Sequence, residues 1–118
     1  DVTLPWPSSD LSPNARVHWA RKGRAARKAR GDAKIACLAA GVRGLGWDAA
    51  MVRITFHEPD NRRRDLDNQL SSIKSALDGI ADATGIDDSR WSIEVKRGEL
   101  VPNGSVVVRM SPVEVSVS

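Results

Sequence analysis

One run of apolar residues constrains the fold of this chain more than any other feature. The residues step by four and three along the sequence, the spacing of one face of an α-helix: Leu66, Leu70, Ile73, Leu77 and Ile80. Gly79 lies inside the run and Gly85 follows it, and glycine commonly follows a helix C-terminus. The pattern predicts one amphipathic helix that ends at Gly85.

Segments with the alternation of β-strands lie on both sides of this helix. Residues 51–58 place Val52, Ile54 and Phe56 on one face, and the same alternation returns after the helix at Trp91, Ile93 and Val95. Residues 105–110 make a last clear strand. We expect this strand to pair with the preceding one as a hairpin across the turn at residues 102–104.

The first part of the chain adds one strand and one helix. Residues 2–4 form a short apolar strand, and a helix is predicted from about residue 20 to residue 42, interrupted or loosened near Gly31. Its apolar positions at helical spacing are Ile35, Leu38, Ala39 and Val42. The order strand, helix, strand, helix, strand, strand predicts a small α/β domain, a mixed sheet packed by two helices.

The 118 residues suffice for one domain but not for a core plus a separate catalytic module. We assign residues 1–112 to this domain and 113–118 to a C-terminal tail, which is an added strand, a dimer contact or disordered. The single cysteine, Cys37, is expected to be a small buried thiol. No apolar run is long enough to span a membrane. These features predict an intracellular, reducing compartment.

Cations are concentrated in one stretch of the first half of the chain. Eight of them lie close together, opposed only by Asp32: Arg16, Arg21, Lys22, Arg24, Arg27, Lys28, Arg30 and Lys34. Such density fits a nucleic-acid backbone. A solvated helix face is the alternative.

The segment between the middle strand and the amphipathic helix carries the strongest chemical signal. Three arginines run directly into two aspartates and an asparagine at residues 62–68: Arg62, Arg63, Arg64, Asp65, Asp67 and Asn68. Arginines attract a polyanion, which two carboxylates repel unless a divalent cation sits between them. Metal-assisted chemistry on phosphate is therefore one interpretation. A solvated loop in which Asp67 caps the helix is the other.

Two further metal motifs do not fit this segment. A calcium loop counted from Asp65 requires Gly and Glu where the chain has Leu70 and Ala76. A sugar-nucleotide transferase with an Asp-x-Asp site needs a nucleotide-binding domain larger than this chain.

Three other features accompany this motif: the opening residues 4–7 (Leu-Pro-Trp-Pro), a polar loop ending in Asn14, and the later pair Asp87 and Asp88. Together with the motif, they resemble the RusA family of Holliday junction resolvases. These are commonly encoded by bacteriophages and prophages. The resemblance implies a Mg²⁺-dependent endodeoxyribonuclease, with Mn²⁺ as a substitute, that nicks four-way DNA junctions as a homodimer in DNA recombination and repair.

The resemblance also implies roles for particular residues. The acidic metal-binding triad falls on Asp65, Asp67 and Asp88, with Asp87 as the neighbour that could take the place of Asp88. The family's arginine before the first aspartate falls on Arg64, which is expected to be catalytic as a candidate for stabilising charge on the scissile phosphate. Asn14 matches the family's loop asparagine and is expected to contact the junction, with an ordinary turn residue as the alternative. From their charge, further DNA contacts are expected at Arg16, Arg21, Lys22, Arg24, Arg27, Lys28, Arg62 and Arg63.

The family's lysine, four residues after the second aspartate, is missing, because this chain has Ser71 there. We expect Lys74 to take its role, since on a continuous helix it lies almost two turns from Asp67 on the same side. Two alternatives for the whole chain remain open: a non-catalytic basic DNA-binding module, and a flap or RNA-directed nuclease with the same metal site.

Overall fold

A computed structural model describes residues 1–113. Residues 114–118, with most of the predicted tail, lie outside the described range. The elements are strands β1 (Val2–Pro5), β2 (Ala50–His57), β3 (Trp91–Arg97) and β4 (Ser105–Pro112), and helices α1 (Trp19–Ala39), α2 (Leu66–Ser72) and α3 (Lys74–Thr84). Single 3₁₀ turns lie at Ser9–Leu11 and Asp88–Arg90. The predicted α/β class, with a mixed sheet, is confirmed.

The sheet has the strand order β1-β4-β2-β3. β2 and β3 are parallel, whereas β4 is antiparallel to both β1 and β2. The predicted hairpin between β3 and β4 is therefore wrong, because β2 lies between them. The connection instead crosses the end of β2, where Gly98 N–H donates to the Phe56 carbonyl (3.0 Å) and Val101 N–H donates to the Glu58 carbonyl (3.0 Å).

This topology gives the sheet two distinct edges. β1, β2 and β3 all finish at one of them, which we call the end edge and which carries Pro5, His57 and Arg97. β2 and β3 both begin at the opposite one, the start edge, where Ala50 pairs with Trp91. Every loop that follows β2 or β3 leaves from the end edge.

The core lies between one face of the sheet and the helices. Val52, Ile54 and Phe56 are fully buried, as the alternation predicted, and they pack in one cluster with Ile73 and Ile80. The opposite face of β2 carries Arg53 and other partly exposed side chains. The domain therefore has two layers.

Helices α1 and α3 cross with their backbones nearly in contact. A Cβ atom on Gly79 would lie 2.2 Å from the carbonyl oxygen of Arg30, so only glycine allows this approach. α1 buries the small residues Ala33 and Cys37, while Ile35 is 66% exposed. The predicted apolar face of this helix is therefore wrong, because a close crossing selects small side chains rather than large ones.

α1 is also continuous through Gly31, where an interruption was expected. The buried Cys37 thiol is confirmed, and burial raises its pKa above the ordinary value for a cysteine. A thiol that stays protonated is a poor nucleophile.

The predicted second helix is divided in two at Ile73, which has φ −102° and ψ 6°. Ser72 Oγ donates to the Asn68 carbonyl at 2.9 Å, a bond that often bends helices. The apolar pattern nevertheless stays in the core, since Ile73, Leu77 and Ile80 are all buried. The buried face was predicted correctly, and the continuity of the helix was not. No helix within residues 1–113 is long and apolar enough to cross a membrane.

Candidate active site

The arginine and aspartate motif occupies the loop from β2 to α2, at the end edge. Asp65 caps α2, because its Oδ1 accepts the backbone N–H of Asp67 at 2.9 Å. Asp67 lies in the first turn of α2, and both side chains are exposed. Capping thus falls to Asp65 rather than to Asp67. Within residues 1–113 the other Asp65 oxygen and the whole Asp67 carboxylate make no hydrogen bond, so they are free to accept a ligand.

Arg64, directly before this pair, is anchored on three sides. Its Nη1 lies 2.9 Å from Asp60 Oδ1 and 3.7 Å from Glu58 Oε2, and its guanidinium carbon lies 5.5 Å from the centre of the Trp6 ring. The hydrogen bond from Arg64 holds the pKa of Asp60 below its ordinary range. Only 17% of the Arg64 side chain is exposed. Arg64 therefore joins the loop to β1 and β2, whereas Arg62 and Arg63 are exposed.

Sequence reasoning missed a buried carboxylate beside this arginine. Glu58 Oε1 accepts from Gln69 Nε2 at 2.7 Å and from Arg97 Nε at 3.2 Å. Arg97 Nη2 donates to the Arg64 carbonyl at 2.6 Å, which joins the end of β3 to the motif. A signal was present in the alternation of β2, which continues through Glu58 and places it on the buried face. A carboxylate in that position requires polar or cationic partners.

Together these residues surround an open cavity of about 730 Å³. Its lining consists of four arginines, two carboxylates and one leucine: Arg62, Arg63, Arg64, Arg97, Glu58, Asp65 and Leu66. The net positive charge of this lining suits an anionic group next to the free Asp65 oxygen.

Asp87 and Asp88 lie at the other edge of the sheet. Asp88 opens the 3₁₀ turn directly before β3, and Asp87 accepts a 2.9 Å hydrogen bond from Ser89 that lowers the Asp87 pKa. β3 has seven residues, and a strand rises about 3.3 Å per residue, so the two edges are about 20 Å apart.

The structure therefore places Asp65 and Asp67 at the end edge and Asp88 at the start edge of the same chain. Accordingly, residues 1–113 contain no cluster of three or more His, Cys, Asp or Glu side chains able to hold a metal ion. The two-residue donor set is nonetheless chemically suited to Mg²⁺, which takes one or two protein carboxylates and completes its coordination with water and substrate oxygens.

Lys74 is the first residue of α3 and is exposed. Its predicted alignment with Asp67 assumed a single helix. The break at Ile73 removes this geometric support, because the two residues now lie on different helices. Its catalytic role stays a prediction.

The basic stretch divides into paired and unpaired cations. Three of its members make ion pairs, at 2.9 Å from Arg21 to Asp10, at 2.6 Å from Lys28 to Asp32 and at 2.7 Å from Arg30 to Asp82. The other five make none within residues 1–113: Arg16, Lys22, Arg24, Arg27 and Lys34. These five remain available for an anionic partner.

The N-terminal half of α1 lies beside the end edge. Arg21, Arg24 and Lys28 line a second cavity, of about 590 Å³, together with Trp6 and Pro7, the residues that follow β1. The basic stretch and the motif therefore share one side of the molecule.

Asn14 lies apart from these cavities, in the exposed turn before α1. Its backbone N–H donates to Ser12 Oγ at 3.3 Å. Its predicted DNA contact stays a prediction.

Comparison with known proteins finds relatives that differ in sequence identity and in the share of the chain that is covered. No family model matches the sequence. Over 114 residues the chain is 44% identical to an uncharacterized protein of Xylella fastidiosa, an alignment that covers 93% of this chain and 74% of that protein. It is 39% identical over 81 residues to the crossover junction endodeoxyribonuclease rusA of Enterobacteria phage 82. It is 36% identical, also over 81 residues, to the RusA of Escherichia coli K12. The alignment covers 64% of this chain and 64% of each of the two RusA proteins. The chain is thus similar, over about two thirds of its length, to proteins named crossover junction endodeoxyribonucleases.

Proposed function

We propose that this protein is a metal-dependent, structure-selective DNA endonuclease that resolves Holliday junctions in DNA recombination and repair. The observation that carries the proposal is the pair of free carboxylates, Asp65 and Asp67, beside an arginine-lined cavity. The similarity to RusA proteins supports the same conclusion. We place its activity in the bacterial cytoplasm.

The two parts of the site have complementary tasks in phosphodiester hydrolysis. Asp65 and Asp67 would hold Mg²⁺, or Mn²⁺ in its place. The ion would activate the attacking water as a Lewis acid and neutralise negative charge on the phosphate. The arginines offset the repulsion between the carboxylates and the DNA, and they hold a phosphate next to the carboxylates. Asp65 performs its task while capping α2, because capping uses only one of its two oxygens.

We infer that the working unit is a homodimer in which Asp88 of a second copy completes the site. Within one chain Asp88 lies at the start edge, about 20 Å along the strands from the end edge, too far for it to share an ion with the carboxylate pair. A two-fold dimer also supplies the two sites that symmetric cleavage of a junction requires.

The proposal is tested with a panel of labelled substrates in Mg²⁺: a four-way junction, a flap, a linear duplex and an RNA–DNA hybrid. We expect the junction to be cut in preference to the others. Asp65→Asn and Asp67→Asn should abolish cleavage and retain junction binding, since asparagine still caps a helix and removes a repulsive charge. Asp87→Asn is the control and should be milder.

Other outcomes of the panel support the alternatives. Junction binding without cleavage in either Mg²⁺ or Mn²⁺ would identify a non-catalytic binding module. Preferred cleavage of the flap or of the hybrid would identify a different nuclease. Cleavage that survives both Asn substitutions would remove Asp65 and Asp67 from the reaction.

A further inference from the structure

The end edge holds a cation whose position suits a role in the reaction and to which none has been assigned. Ser71 is uncharged, and Lys74 begins a different helix from the one that carries Asp67, so helical spacing no longer aligns the two residues. Arg97, by contrast, closes β3 at the edge where the carboxylates lie and lines the same cavity as Asp65.

The Arg97 guanidinium is held close to the first aspartate. Its Nη2 donates at 2.6 Å to the carbonyl of Arg64, the residue directly before Asp65, and its Nε lies 3.2 Å from Glu58 Oε1. Within residues 1–113 its Nη1 makes no hydrogen bond, and 46% of the side chain is exposed. Arg97 is therefore fixed at two atoms and can donate to a ligand from the third.

Glu58 provides the fixed point for this arrangement. It is 8% exposed, and its two oxygens lie between the guanidinium groups of Arg64 and Arg97. Without this carboxylate the two arginines would repel each other across a short distance. Donors that are held in place before the substrate arrives stabilise developing charge without reorganising.

We propose that Arg97 is the phosphate-binding cation of this site, donating to a non-bridging oxygen of the DNA phosphate that lies at Asp65 and Asp67, and that Glu58 is its positioning residue. This inference rests on the proposed function and deepens it. Arg97 thereby does the work that Ser71 cannot do. A guanidinium suits this work because two of its nitrogens are held by Glu58 and the Arg64 carbonyl while the third can still donate to a phosphate oxygen.

The alternative is a purely structural ion pair between Arg97 and Glu58. The chain offers a matched control, because Arg53 makes a similar pair with Glu94 at 3.0 Å on the open face of the sheet and is 51% exposed. Arg97→Gln, Arg97→Lys and Arg53→Gln are compared in the full chain. Junction binding is measured by fluorescence anisotropy without divalent metal at several salt concentrations, and cleavage by single-turnover kinetics in Mg²⁺.

We expect Arg97→Gln to weaken junction binding about tenfold and to lower the slope of log affinity against log salt by about 0.9, one phosphate contact. Its single-turnover rate should fall about a hundredfold, as when one charge-stabilising donor is removed. Arg97→Lys should retain the salt slope but recover the rate only in part, because an ammonium cannot reproduce the planar set of donors that holds the guanidinium to Glu58 and the Arg64 carbonyl while it contacts the phosphate. Arg53→Gln should leave all three quantities unchanged.

Three results would overturn the inference. The first is an equal effect of Arg97→Gln and Arg53→Gln. The second is a Lys74→Ala variant that loses more rate than Arg97→Gln, which would return the role to Lys74. The third is full activity in Arg97→Lys together with loss of folding in Arg97→Gln, which would show that only charge balance around Glu58 matters. A wild-type protein that neither binds nor cuts junctions would instead refute the proposed function.

Discussion

The two edges of the sheet differ in charge and in the freedom of their acidic groups. At the end edge the carboxylates of Glu58 and Asp60 are paired with arginines, whereas those of Asp65 and Asp67 have no such pair within residues 1–113. At the start edge Asp87 is engaged by a serine, and Asp88 opens a turn. Of the two edges, as far as residues 1–113 describe them, only the end edge combines free carboxylates with a surplus of arginines.

The separation of the two edges follows from the topology. A helical connection between parallel strands such as β2 and β3 must carry the chain from the end of one strand to the beginning of the next. Residues that precede the connection and residues that follow it therefore lie at opposite edges. Asp67 and Asp88 flank this connection, so their nearness in the sequence does not become nearness in one folded chain.

The largest effect is expected from mixing two inactive variants. Asp67→Asn and Asp88→Asn should each be inactive alone. If Asp88 acts across a dimer, a mixed dimer holds one site with both substitutions and one site with neither. Random exchange of subunits should then restore about a quarter of the wild-type sites. Cleavage is measured on a labelled junction after the two proteins are mixed, and single nicks should outnumber paired cuts.

The opposite result of the mixing experiment is equally informative. If each chain carries a complete site, the mixed dimer has two damaged sites and cleavage stays absent. An active Asp88→Asn variant would show that Asp88 takes no part in cleavage. The two edges would then differ only in their charge. A mixture of Asp65→Asn with Asp67→Asn is the control, since both changes damage the same edge and no mixed dimer can restore it.

An intermediate effect is expected from the unpaired cations of α1. Arg24→Gln together with Arg27→Gln should weaken junction binding and lower the slope of log affinity against log salt by up to about 1.8, since each lost phosphate contact contributes about 0.9. Anisotropy titrations at several salt concentrations measure this. Arg109→Gln is the control, because Arg109 lies away from the end edge, where its Nε is 2.9 Å from Asp1 Oδ1. An unchanged slope in the double variant would show that α1 presents only a solvated face.

The fold was largely predictable where burial alternates or steps regularly. β2 and the buried face of α2 and α3 follow directly from the spacing of Val52, Ile54, Leu77 and Ile80. The break at Ile73 does not disturb that spacing, so the apolar pattern gives no sign of it. The pairing of β3 depends on competition between strands. Adjacency in sequence favoured β4 as the partner of β3, but β3 pairs with β2.

The site was predictable only in part, because its residues are of two kinds. Asp65 and Asp67 stand in a local motif that is visible in the sequence. Glu58 and Arg97 meet across the sheet, far apart in the chain, and only the parallel register of β2 and β3 brings them together. Long-range contacts of this kind leave no local pattern in the sequence, except that the alternation of β2 places Glu58 on the buried face.

The smallest effect on the site, and a test of what holds α1 in place beside it, is expected from two glycines. Gly79→Ala should destabilise the protein by about 1–3 kcal/mol, because the new methyl group meets the backbone oxygen of Arg30, which cannot move aside as a side chain can. Gly31→Ala is the matched change in α1, with nothing within 4 Å of its new Cβ. It should stabilise the protein by about 0.5–1 kcal/mol through helix propensity. Urea unfolding gives both values.

If the crossing at Gly79 positions the basic half of α1 beside the end edge, Gly79→Ala should also weaken junction binding under conditions where the protein is fully folded, while Gly31→Ala should not. A stabilising Gly79→Ala would show that the two helices do not pack this closely, and the placement of α1 beside the end edge would lose its structural basis.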